Sequence, residues 1–443
     1  MSAVGRLRAA ALAALTAVAA AVSAPAALAD TDVQVVTSPG GITAWLVEEP
    51  SIPILALEMR FEGGASRDPA DQTGAAGFMA SMLREGAGDL DAAAFEAASD
   101  DIALRMGFGA GGDAFTVSAR MLTETRAESL ALLKLAMTRP RFDADAMERV
   151  RGGILASIRS RETDAGALAS RAWRSALFGD DPYARRSTAE GVLALTAEDL
   201  EAARLRAMNR SRLSVAVVGD ITAEELGPLL DDLLLDLPDA PWTPLPRVEL
   251  SSERGIEVID LDVPQSSARL LHEGIPRDDP DFVPAFVMNY ILGGGGFSSR
   301  LTVEVRQKRG LTYGVGSGLA NFDRASLMIA SLSSSNDRIA EALDVIKAEW
   351  TRMRDGGVTA QELEDAKRYL TGAYPLRFDS NARIAGQLVG LMSLGFTPDY
   401  IKERNGLIEA VTLDDVARVA KRLLRPDRLH VVVVGRPEGL GDG

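Results

Sequence analysis

Two hydrophobic rhythms run along this chain. Trp45–Val47, Ile54–Phe61 and Ala114–Met121 are short β-branched or aromatic runs with period-two alternation, and they read as strands. Gly74–Arg84, Ala92–Ala98, Arg126–Met137 and Ala144–Arg161 carry apolar residues at helical spacing. The second half repeats the mixture. Strands are expected near Gly255–Leu261, Ala268–Glu273, Thr312–Leu319 and Ser326–Ser331, with helices over Phe282–Leu292, Ser299–Lys308 and Asn336–Arg354. Helices interleaved with mostly antiparallel strands predict an α+β fold.

The rhythm itself is duplicated. Residues 195–220 (LTAEDLEAARLRAMNRSRLSVAVVGD) align without a gap on residues 411–436 (VTLDDVARVAKRLLRPDRLHVVVVGR), an offset of 216. Thr196 falls on Thr412, Asp199 on Asp415, Arg206 on Arg422, and Val217-Val218-Gly219 on Val433-Val434-Gly435. Each copy reads as a Thr-capped amphipathic helix, a polar turn and a strand ending at Gly. Glu62-Gly63 and Arg67-Asp68-Pro69 recur as Glu273-Gly274 and Arg277-Asp278-Asp279-Pro280. Between the halves, Leu237–Pro246 holds four prolines in ten residues, a stiff extended linker. The expected division is residues 30–236, a linker over 237–250, and residues 251–443.

Composition narrows the function classes. Arg6 and Arg8, an Ala/Leu/Val-rich stretch, and Ala27-Leu28-Ala29 before Asp30 form the three-part pattern of a secretory signal peptide over residues 1–29. The remaining 414 residues carry 46 Lys and Arg against 63 Asp and Glu. So acidic a field attracts neither nucleic acid nor anionic lipid. No later stretch approaches the ~18 apolar residues of a membrane span. With no cysteine, disulfides and thiolate metal sites are impossible.

Several motifs match a pattern without its context. Gly107–Gly112 satisfies G-x-G-x-x-G, but a strand-like alternation follows where a pyrophosphate site needs a helix N-terminus. A flexible turn or bulged strand entry is the expected reading. Gly293–Gly296 lacks the Lys-Ser/Thr of a P-loop and reads as a hinge, a tight loop or a mobile substrate-contacting loop. The two histidines, His272 and His430, lie in separate predicted strands, so neither a zinc site nor a Ser-His-Asp set is expected from them.

Two stretches carry a family resemblance. Gly63–Leu83 (GGASRDPADQTGAAGFMASML) resembles the first-helix region of the M16 zinc peptidases, the pitrilysin, insulinase and mitochondrial-processing-peptidase family. That helix bears the inverted motif H-x-x-E-H in active members. Laid on this chain, the motif positions are Gly77, Ala80 and Ser81, and the family's third ligand, a Glu on a later helix, falls near Ser157. None supplies a metal ligand of the required type. Leu292–Gly316 (LGGGGFSSRLTVEVRQKRGLTYGVG) resembles the family's L-G-G-G-x-S-S-R-L stretch closely, and there the substrate-binding Arg and Tyr correspond to Arg306 and Tyr313. A guanidinium fork and a phenol are donors that can be aimed at a carbonyl oxygen. The composition alone would also accommodate a solvated basic face of Arg300, Arg306, Lys308 and Arg309 followed by a packed Tyr.

The resemblance implies two homologous domains of the LuxS/MPP-like type, each an antiparallel-rich sheet packed with helices. It implies a non-catalytic subunit that binds no zinc itself and pairs with a catalytic M16 chain carrying an intact H-x-x-E-H, which holds the zinc. The pair would enclose a peptide or unfolded polypeptide in the periplasm. Family members also lay substrate along a sheet edge, for which Ala110–Ser118 is the expected counterpart. A core-like structural subunit and a stand-alone peptide-binding or chaperone-like protein are the alternative readings.

Overall fold

The computed structural model describes residues 32–440, Glu253 aside; the expected signal peptide lies outside the described residues. The first half builds a six-stranded sheet. Its strands are β1 (Gln34–Thr37), β2 (Thr43–Glu48), β3 (Ile54–Glu62), β6 (Arg105–Ala110), β7 (Ala114–Leu122) and β8 (Leu213–Gly219), in the order β1-β2-β8-β3-β7-β6. A small separate ribbon is formed by β4 (Gly86–Ala87) and β5 (Leu90–Asp91). The second half builds a five-stranded sheet of β9 (Gly255–Asp260), β10 (Gln265–Glu273), β11 (Gly314–Asn321), β12 (Ser326–Ser335) and β13 (His430–Gly435), in the order β11-β12-β10-β13-β9. This is the expected α+β architecture.

The duplication extends to strand direction. Parallel β2 and β8 stand beside antiparallel β3, as parallel β9 and β13 stand beside antiparallel β10. The copies also share local chemistry. Thr196 with Asp199 and Thr412 with Asp415 form reciprocal capping boxes at the starts of equivalent helices. Gly219 and Gly435 end their strands at φ 145° and 146°, and a Cβ at either would strike the neighbouring strand, at Ile54 and Ser266 respectively. The matched arginines reach the matched loops: Arg206 lies 3.9 Å from Asp68, and Arg422 lies 2.6 Å from Asp279.

Each sheet packs one face on its own half's helices. In the first half, Leu57, Phe61 and Val117 meet Phe78 and Met79; in the second, Leu270, Met328 and Val431 meet Ile346 and Trp350. The other faces are covered by exchange. The helix Asn381–Ser393 lies on β3 and β8, where Ala385 and Leu388 pack on Trp45, Ala56 and Val218. Reciprocally, the helix Ala165–Phe178 lies on β10 and β13, with Leu168, Trp173 and Leu177 against Leu271, Val432 and Val434. The two helices begin 216 residues apart, the offset of the repeat. Each half therefore closes the other's sheet.

Among the described residues, neither helix nor strand lies between Leu234 and Gly255. The Pro-rich segment there is held on both sides. Trp242 lies under the guanidiniums of Arg67 and Arg212, at 4.1 and 5.5 Å. Arg67 also donates to the carbonyl of Thr243, and the Val248 amide donates to the carbonyl of Arg324 in the second half.

Candidate functional site

The helix Ala75–Met82 starts from a left-handed Gly74 (φ 102°) with no side-chain cap of its own. Asp68 takes that role from the preceding loop. Its carboxylate is 5% exposed and accepts from the amides of Gly74 (3.0 Å) and Ala76 (3.2 Å). Burial pushes its pKa up against these hydrogen bonds and Arg206, which pull it down.

The helix packs on the helix Ala144–Arg161, so the four degenerate positions sit on neighbouring elements. Their surroundings do not fit a zinc ion. Gly77 has open space where a side chain would be. The Ala80 methyl is buried in the first-half core. The Ser81 hydroxyl donates back to the Gly77 carbonyl at 3.0 Å, and Ser157 is exposed. Among the described residues no group of three His, Cys, Asp or Glu could hold a metal.

The first sheet has two edge strands, β1 and β6, and the one next to the glycine-rich loop is β6, which pairs with β7 on one side only. This corrects the expected counterpart at Ala110–Ser118: β7 is interior, between β6 and β3. Glycines depress strand propensity, so Gly107 and Gly109 masked the edge strand in the sequence. Past β6, Gly111, Gly112 and Asp113 form a loop whose carbonyls accept from the amides of Ala65, Ser66 and Gly63. Strand β7 follows directly, where a pyrophosphate site would need a helix to begin.

In the second half, Gly293–Gly295 pack closely against their surroundings and Gly296 is open, with a φ of 58°. The helix Phe282–Asn289 widens into a π-helical turn over Tyr290–Gly294. Gly293 lies against Ser317 of β11 so closely that no Cβ would fit. Asn289 and Ser317 hydrogen bond across the contact at 2.8 Å. Beyond it, Thr302–Gln307 is again π-helical, so Arg306 sits on a widened turn.

The basic residues of this segment divide sharply. Arg300 makes a two-pronged pair with Glu362 (2.6 and 2.8 Å) and donates to the Gly357 carbonyl. Lys308 and Arg309 both pair with Glu304, at 2.7 Å each. Arg306 is in no ion pair among the described residues; its guanidinium lies 4.8 Å over the ring of Phe297, itself 70% exposed. Tyr313, just before β11, is 83% exposed. The solvated basic face is therefore mostly a structural ion-pair network, and Arg306 and Tyr313 are the two polar groups left presented. Phe297 carried no signal in the sequence beyond its place within the glycine-serine stretch.

The Arg300–Glu362 pair has a pH signature. Burial works to raise the Glu362 pKa, but Arg300 and the Thr359 amide and hydroxyl outweigh it and hold the carboxyl at about 2, below its ordinary 4.5. A depressed carboxylate stabilises the fold above its unfolded pKa, and the contribution fades as pH falls through the folded value. The expected result is a loss of melting temperature between about pH 4.5 and 2, worth roughly 1–2 kcal/mol after solvent screening. Glu362→Gln should flatten that part of the profile in thermal melts followed by circular dichroism. An unchanged slope would show that other carboxylates set it.

Both histidines belong to the second sheet. His272 is buried, its Nδ1 2.7 Å from the Glu273 carbonyl and its Nε2 accepting from Trp350 at 3.1 Å. His430 is paired in register with Leu271, so it shares the opposite face of the sheet. The two imidazoles do not converge.

One feature escaped the sequence reading. A cavity of about 630 Å³ opens between the two halves, beside the Gly111–Asp113 loop. Arg161, Arg171, Arg174, Arg185 and Arg186 line it, with Phe322 from the second half. The signal available was local arginine density between residues 161 and 186, set against a strongly acidic chain.

Comparison with known proteins is consistent with this geometry. A family model described as "Peptidase M16 inactive domain" matches residues 194–370. A Helicobacter pylori protein named non-peptidase homolog YmxG is 26% identical over 380 residues, covering 83% of this chain and 86% of its own. The β subunit of the mitochondrial-processing peptidase of Lentinula edodes is 22% identical over 430 residues, covering 92% of this chain and 91% of its own. A crystal structure of a peptidase M16 inactive domain from Pseudomonas fluorescens superposes with a TM-score of 0.86 at 29% identity, covering 93% of this chain and 99% of that one.

Proposed function

This chain is a homologue of the M16 peptidases, and on that premise we propose that it is a non-catalytic, substrate-handling subunit working with a second M16 chain that bears an intact H-x-x-E-H. The observation that carries the reading is a contrast between two sites. The ligand positions Gly77, Ala80, Ser81 and Ser157 have no coordinating chemistry, while, among the described residues, Arg306 is in no ion pair and Tyr313 is exposed, beside a network that engages Arg300, Lys308 and Arg309. The naming of similar proteins as an inactive domain and a non-peptidase homolog supports the first half of this contrast.

In the proposed pair, the partner holds the zinc. Arg306 and Tyr313 donate to the scissile carbonyl oxygen and stabilise charge developing on it. The open edge of β6 takes an extended peptide by main-chain hydrogen bonds, which need no particular side chain. Among the described residues no helix is long and apolar enough to cross a membrane. With the secretory pattern of residues 1–29, this supports work in the periplasm.

The test begins with the purified chain. It should hold no stoichiometric zinc by elemental analysis and show no chelator-sensitive proteolysis. Mixed with an M16 chain of the same cell carrying H-x-x-E-H, it should co-elute on size exclusion and raise peptide cleavage above that of the partner alone. Stoichiometric zinc and chelator-sensitive cleavage by this chain alone would overturn the proposal.

A further inference from the structure

We infer that the arginine-lined cavity beside β6 is an acidic-peptide site, which takes the carboxylates of an extended chain whose backbone lies on the β6 edge. The inference rests on the peptide-handling reading for the nature of its occupant, and on this cavity for the charge.

The chain as a whole is strongly acidic, with a formal charge of −15. Against that field, the cavity gathers five guanidiniums from three successive pieces of chain. Arg161 ends the helix Ala144–Arg161, Arg171 and Arg174 lie one turn apart on the helix Ala165–Phe178, and Arg185 and Arg186 follow the Pro182–Ala184 turn. Two carboxylates share the lining, Asp113 and Glu162. Asp113 is already engaged, accepting from the Tyr183 hydroxyl and the Asp323 amide.

None of the five arginines is in an ion pair among the described residues. Their protein partners are weak acceptors. Arg174 donates to the Tyr183 carbonyl at 3.3 Å, and Arg185 to the Asp68 carbonyl at 3.4 Å. Arg174 is half-buried, its guanidinium stacked 4.6 Å from Trp173 and 5.3 Å from Phe322. Burial holds its pKa below the usual arginine range, against Asp113 and Tyr183, which pull it up. Two other interior arginines, Arg300 and Arg324, find carboxylates, while Arg404 is held by the Leu370 carbonyl and the Tyr374 ring. Five cations facing two carboxylates, one of them already hydrogen bonded within the protein, leave an excess of positive charge that a bound anion offsets.

The surroundings say which anion. The cavity begins at Ala110, Gly111 and Gly112, where the free edge strand β6 ends. A peptide laid on β6 continues into it. Its volume lies within the roughly 300–1,000 Å³ of sites that enclose a small ligand, enough for a few residues and not for a folded domain. Ile158, Leu168 and Phe322 add apolar wall, which suits an extended chain with acidic and apolar residues. A planar guanidinium fork matches a carboxylate two-pronged.

The experiment uses the purified full chain and fluorescence anisotropy. The probe is a labelled ten-residue peptide ending in alternating Asp and Leu, compared with its Asn counterpart at low and moderate salt. The acidic probe should bind about tenfold tighter or more, the effect of one or two charge-assisted contacts, with the gap narrowing as salt rises. Arg171→Ser with Arg186→Ser, both exposed side chains, should erase the difference between the two probes. Arg171→Glu with Arg186→Glu should reverse it in favour of a Lys probe. Amidating the acidic probe's C-terminus should leave its affinity largely intact; loss of affinity on amidation would overturn the assignment to side-chain carboxylates. Equal affinity for Asp and Asn probes would overturn the acidic assignment and leave peptide handling standing. No binding of either probe would overturn both. Displacement of the acidic probe by equimolar inorganic phosphate would overturn the peptide assignment in favour of a free oxyanion.

Discussion

Arg306→Ala and Tyr313→Phe should each lower turnover of the reconstituted pair by ~10²–10³-fold, the usual cost of removing one aimed donor from a developing oxyanion. Neither change should disturb assembly. Arg306 makes no ion pair among the described residues and Tyr313 is 83% exposed, so neither side chain holds the fold together. Arg306→Lys should fail to restore the rate, because an ammonium lacks the planar fork. The same segment supplies a control. Lys308→Ala leaves Glu304 with Arg309 at 2.7 Å, so stability and turnover should stay close to wild type. Turnover is read on a short fluorogenic peptide and assembly by size-exclusion chromatography. The loss should appear in kcat as well as kcat/KM, since a donor used only in the transition state does not hold ground-state substrate. Normal assembly with wild-type rates in both variants would remove the donor role and favour a purely structural subunit.

What the sequence displayed of this molecule was what repeats locally. The 216-residue offset located equivalent helices, capping boxes and strand-ending glycines because each is set within a few residues of chain. The pairing of Arg206 with Asp68 and of Arg422 with Asp279 was present in the alignment as matched residues, although their contact joins distant segments. The edge strand was misplaced because two glycines hid it: alternation became visible only at Ala114, on the neighbouring interior strand. The separation of Arg306 from Arg300, Lys308 and Arg309 could not be read from composition, since the deciding carboxylates are Glu304 nearby and Glu362 from another helix. The arginine cavity was hidden for a related reason. Its five side chains come from two helices and a loop, and only the packing brings them to one wall.

The exchange of helices yields the largest expected effect on stability. A helix's periodicity marks its apolar face but not the sheet that face will cover, and here each covers the other half's sheet. Leu388 is fully buried on the first sheet, and Trp173 is 5% exposed on the second. Leu388→Ala should cost ~2–5 kcal/mol and Trp173→Ala ~3–5 kcal/mol, because each leaves a void that rigid sheet neighbours cannot close. The distinguishing expectation concerns where the damage appears. Leu388 belongs by chain to the second half, yet its loss should lower amide protection in β3 and β8 of the first. Trp173→Ala should do the converse in β10 and β13. Without its partner helix, the first sheet would expose Trp45, Val47, Ala56, Ala216 and Val218 as one apolar face, which an isolated half could not keep in water. Wild-type protein should therefore unfold in urea as one transition, with far-UV circular dichroism and tryptophan fluorescence coinciding. Site-resolved hydrogen exchange then reads the two variants. Two separated urea transitions, or protection lost only in the half that carries the substitution, would show that the halves are independent and that the exchanged helices are ornaments on self-sufficient domains.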